Sequence, residues 1–162
     1  MTKAEILHAK ENTFNGQTLG EEISNAISHG AGALLSAVAT GILIANAVIK
    51  GNKIDIISSS LYGFSLIALY LVSTLYHSFT NYKAKKVFRI FDHCSIFLLI
   101  WGTYTPVALS LLGGKTGIMI FLFQSILAIV GIVLNAIDLN KWKNMSLILY
   151  VLMGWAIVVN AS

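Results

Sequence analysis

Five apolar runs separated by short polar turns constrain this chain more than any other feature. They lie near Ile27–Ile49, Ile54–Phe79, Val87–Leu112, Thr116–Ile137 and Met145–Ala161. A bilayer core of about 30 Å takes about 20 helical residues to cross, so each run is long enough or nearly so, the last being the shortest. Composition agrees, with 56% hydrophobic and only 11% charged residues in 162. The expected fold class is all-α, a polytopic transmembrane helical bundle with five spans. Short turns favour antiparallel sequential neighbours in one domain. Residues 1–26 form a polar amino-terminal segment carrying Glu5, Glu11, Glu21 and Glu22, and residues 27–162 the membrane domain. The segment lacks the short apolar core of a cleavable signal, so the first span is expected to act as an uncleaved anchor. Cys94 is the one cysteine, which excludes an intrachain disulfide.

The net charge of +4 does not point to nucleic acid, because the basic residues are spread over the turns rather than gathered on one face. Lys3, Lys10, Lys83, Lys85, Lys86, Arg89, Lys141 and Lys143 would share one side of the membrane, and Lys50, Lys53 and Lys115 the other. Eight against three places the amino terminus in the cytoplasm of a multi-pass cell-membrane protein. Tyr76, Tyr82 and Trp142 flank the same turns, as an interfacial aromatic belt would.

That topology gathers ionisable groups at one surface. Ser73 and His77 are four residues apart near the inner end of the second span, on one helical face. Asp92 follows a basic turn where the third apolar run begins, a position that also suits a helix-opening carboxylate. Glu22, Asn25 and His29 recur at spacings of three and four on the first span. Ionisable groups beside hydrocarbon are costly and mark candidate sites. Plainer roles compete: a snorkelling His77, and interhelical hydrogen bonds from Asn25 and His29.

Several motifs taken together, EEISNAISHGAG, Ser73–x3–His77, FDHCSIFLLIWGTYTP and YVLMGW, resemble the hemolysin III family, over about Glu21 to Trp155. That family belongs with the progestin and adipoQ receptors and, more distantly, the alkaline ceramidases. The resemblance implies seven helices, an inward amino terminus and a zinc site near the cytoplasmic surface. It would make His77 a zinc ligand, while Ser73 and Asp92 would hold or polarise a zinc-bound water. The family's other ligands come from an HxxxH motif in the last span, which these 162 residues lack, since no histidine follows His93. A zinc ion needs three or four protein ligands, so the site is incomplete in this chain, and a fragment of a seven-span protein is expected.

Two functions follow. One is a zinc-dependent hydrolase of a lipid amide or ester, with Asp92 taking the proton of a metal-bound water and Ser73 orienting it. The other is a non-enzymatic cytolytic or pore-forming protein, or a regulator of membrane state. No span reads as polar along its whole length, as a water-filled channel would require. Membrane lipids are the expected partners, and the sequence leaves the oligomeric state open. Two further motifs are read structurally. GGKT at 113–116 has Leu109 where a phosphate loop needs glycine, and Pro106 should kink or end its helix.

Overall fold

The computed structural model describes residues 16–156. Among these described residues five α-helices run α1 Leu19–Lys50, α2 Lys53–Ser78, α3 Tyr82–Pro106, α4 Gly114–Asp138 and α5 Lys143–Trp155. α1 to α4, with the extension of α3 to Leu112, are each long and apolar enough to cross a membrane. α5 is described for 13 residues, and the rest of the expected fifth span lies outside the described residues.

Local chemistry sets the helix ends. Thr18 Oγ1 accepts from the Glu21 N–H at 3.3 Å while Glu21 Oε2 accepts from the Thr18 N–H at 2.7 Å. This reciprocal cap starts α1 eight residues before the apolar run at Ile27, so two polar turns belong to the helix. Asn52 and Asp55 cap α2 in the same way. Asn81 caps α3 by accepting from the N–H groups of Lys83 and Ala84. The Lys/Arg-rich stretch expected as a turn is therefore helical. Asp92 lies ten residues inside α3 and does not open it, because the apolar run begins well after the helix does.

The packing is inverted relative to a water-soluble protein. Large apolar side chains face outward, among them Leu34 at 74% exposure, Ile49 at 77% and Leu111 at 78%. Ser36, Thr40, Ser58, Ser65, Ser73 and Thr105 are buried. An exterior of that kind matches lipid, while small residues inside let helix backbones approach. Thr40 donates to the Ser36 carbonyl and Ser65 to that of Tyr62, so these hydroxyls are satisfied within their own helices. A Cβ on Gly63 would overlap Thr40, and one on Gly102 would overlap Ser65. The buried face of α2 carries Ser58, Ser65 and Ser73, yet it is packed shut at Gly63 and against Gly102.

Pro106 has no N–H to donate, and α3 passes there into a π-helical turn, Val107–Leu112, which the Gly113 N–H closes on the Ala108 carbonyl at 3.0 Å. Gly113 and Gly114 then reverse the chain with φ of 59° and 55°, a conformation that glycine adopts without strain. GGKT is this turn between two helices.

α5 is tied to α3 and α4 by neutral hydrogen bonds. Gln124 Nε2 donates to the Met153 carbonyl, the Tyr104 hydroxyl to that of Gly154, and Ser146 Oγ to Asn135 Oδ1. The Tyr150 hydroxyl donates to the His93 carbonyl. Phe97, Ala128, Leu149 and Met153 form the apolar core beneath them, with the Phe97 ring seated against Gly131.

Candidate functional site

The antiparallel order brings the start of α1, the end of α2 and the start of α3 to one end of the bundle. Glu22 lies in the first turn of α1 and His77 in the last turn of α2, each at the helix terminus that its charge, when ionised, complements. The short connection through Asn81 returns the chain so that Lys85, in the first turns of α3, faces inward and is buried. Glu22 joins the other two. Its Oε2 lies 2.7 Å from His77 Nδ1 and its Oε1 2.8 Å from Lys85 Nζ. The second contact is an ion pair, and among the described residues Oε1 has no hydrogen-bond partner. All three side chains are only 8–9% exposed. Tyr76 closes the cluster, its ring 4.6 Å from that of His77 and 5.4 Å from the Lys85 ammonium.

One turn deeper sits His29, its ring 5.9 Å from that of His77 and 5.8 Å from that of Tyr70. Its Nδ1 is buried without a hydrogen-bond partner among the described residues. Ser73 is 2% exposed and one turn inward of His77. The contacts Ser58–Ser110, Ser65–Gly102 and Phe79–Phe88 fix the register of α2 against α3 and bring Asp92 level with Ser73. No hydrogen bond among the described residues joins Ser73 or Asp92 to His77. The carbonyl of Asp92 accepts from Ser95 Oγ at 2.6 Å. Asn25 is half-buried on the same stripe of α1 as Glu22 and His29, and its carbonyl accepts from Ser28 Oγ. The structure therefore gathers His77, Glu22 and His29, buries Ser73 one turn along α2 from His77, and, among the described residues, gives Asn25 and the Asp92 carboxylate no hydrogen bond to the cluster.

A zinc ion would need three or four ligands from this donor set. Among the described residues no group of three or more His, Cys, Asp or Glu side chains is placed to hold a metal ion. His77 Nδ1 is engaged by Glu22, and Glu22 is engaged by Lys85. The described residues do not by themselves fit a zinc site.

Lys85 and Tyr76 are the residues that sequence reasoning missed. In the sequence Lys85 reads only as part of a basic turn. A usable signal was present: Lys85 is four residues after a helix-capping Asn81 and seven before Asp92, on the same helical face.

Apolar helices facing outward, with charged groups enclosed at one end, define a polytopic helical membrane protein. The chain matches the model of haemolysin-III related proteins over residues 17–162, and it belongs to that family. It is 42% identical over 142 residues to the hemolysin-3 homolog of Bacillus subtilis (strain 168), covering 88% of this chain and 67% of that protein. It is 43% identical over 143 residues to hemolysin-3 of Bacillus cereus, covering 88% and 65%. The chain thus spans about two thirds of the length of these relatives. No solved structure matches it.

Proposed function

We propose that this protein acts on membrane lipid at the cytoplasmic face of the cell membrane, as a hydrolase of a lipid amide or ester with His77 as its reactive imidazole. The observation that carries this reading is the cluster of Glu22, His77 and Lys85, ionisable side chains buried together at one end of a bundle otherwise suited to hydrocarbon. Such groups are costly there and mark functional positions. The surplus of Lys and Arg at that same end supports a cytoplasmic orientation.

With Nδ1 facing Glu22, Nε2 is the nitrogen of His77 left to meet a water molecule. It would take the proton as the water oxygen bonds to the lipid carbonyl, then return it to the departing amine or alkoxide. The Glu22 carboxylate would stabilise the imidazolium formed between those steps. Ser73 and Asp92, at the same depth, are the groups suited to orient the water. The His77 chemistry needs only the side chains of this cluster, whether or not the zinc implied by the family resemblance is bound. The test is turnover of a lipid amide or ester by the full chain in nanodiscs. His77→Ala should lower it by at least ~100-fold, the lower range for loss of a general base. Undiminished turnover in that variant would overturn the proposal.

Cytolysis is the second reading, favoured by relatives that carry the name hemolysin-3. Helix faces packed shut at Gly63 and Gly102 mean that any pore would form between copies of the chain rather than through one. Dye release from liposomes that survives His77→Ala would support this reading against the hydrolase.

A further inference from the structure

We propose that Glu22 and Lys85 are positioning residues that hold His77 in a single tautomer, protonated on Nδ1 with the Nε2 lone pair open to a ligand or substrate. An ionised carboxylate only accepts hydrogen bonds. With Glu22 Oε2 at 2.7 Å, the hydrogen of a neutral imidazole therefore sits on Nδ1 and the acceptor lone pair on Nε2. A carboxylate behind a histidine commonly sets the proton in this way.

Lys85 makes the arrangement hold. Its ammonium takes the second carboxylate oxygen, so one oxygen is assigned to each partner and the group cannot rotate freely. The pair is enclosed, and Tyr76 lies against both the imidazole and the ammonium. Without Lys85, the buried Glu22 carboxylate would keep only the imidazole as partner, with no cation at Oε1. Released at Oε1, the carboxylate can turn away from Nδ1, and the imidazole proton is then free to sit on either ring nitrogen. Three helices thus fix one proton. As a role in catalysis this rests on His77 being the reactive group; as a statement about where the proton sits it does not.

The test is nitrogen NMR of the ring atoms of histidine-labelled full chain in nanodiscs, at a pH where the imidazole is neutral. His77 is assigned by the signal that disappears in His77→Gln. The expected wild-type spectrum has an N–H signal at Nδ1 and a lone-pair signal at Nε2. Lys85→Arg should keep it, while Lys85→Met and Glu22→Gln should each give a mixture of tautomers with unchanged helix content. A wild-type Nε2–H tautomer would overturn the proposal, as would spectra unmoved in both Lys85→Met and Glu22→Gln. If Lys85→Met fails to fold, the wild-type tautomer and Lys85→Arg still decide. A wild-type protein that hydrolyses no lipid would sink the proposed function while leaving the tautomer assignment intact.

Discussion

At the α1–α2–α3 end the buried polar groups are ionisable, Glu22, His77 and Lys85, whereas along the α3–α4–α5 seam they are the neutral side chains of Gln124, Asn135, Tyr104 and Ser146. The seam uses polar atoms one bond at a time to fix the position of a short helix. The charged end uses three groups that depend on one another: the helix dipoles favour Glu22 and His77, while Lys85, in the first turns of α3, is held by Glu22 instead. Neutral hydrogen bonds between membrane helices are worth little each, about 0.6 kcal/mol on average. A buried ion pair tolerates loss of one partner poorly. The seam therefore specifies packing, and the charged end holds three mutually dependent side chains in one arrangement.

The largest effect expected is at the charged end. Lys85→Met strips the ammonium from Oε1 of the buried Glu22 carboxylate and should cost about 3–5 kcal/mol in detergent unfolding. Pairing it with Glu22→Gln should recover most of that loss. A single variant that melts like the wild type would erase the distinction between the regions. Within the seam, Gly131→Ala should cost about 1–3 kcal/mol, because its Cβ would overlap the ring of Phe97, which is fully buried. Gly20→Ala, with nothing within 4 Å, serves as the neutral control in the same melts. Ser146→Ala removes one hydrogen bond to Asn135 and should cost at most about 1.7 kcal/mol. A loss near that of Lys85→Met would mean the seam is as cooperative as the cluster. Arg89→Ala, which removes a 3.3 Å exposed bond to Asn140, should stay within about 0.5 kcal/mol in the same assay.

Much of the fold could be read in advance because hydrocarbon imposes a length on every span. The runs beginning at Ile54 and Thr116 differ from α2 and α4 by one or two residues at each end. The ends that were missed are those set by caps rather than by hydropathy: Thr18 with Glu21 extends α1 outward, and Asn81 starts α3 before Lys83. Those shifts moved Asp92 from a supposed helix start to the helix interior. They also turned Lys85 from a turn residue into a buried one. Glu22 and His29 were legible through their spacing, which depends on one helix alone.

The sequence by itself determined that the chain is helical, that its outer faces suit lipid, and that ionisable residues collect toward one surface. These follow from hydropathy and from the 3.6-residue period, both local properties. Only the tertiary structure decided that Glu22 reaches across 55 positions to His77 while Lys85 takes its other oxygen. The register between antiparallel helices made that choice. It is set by close approaches such as Gly63 on Thr40 and Gly102 on Ser65, where one residue of slip would rotate a different face into contact.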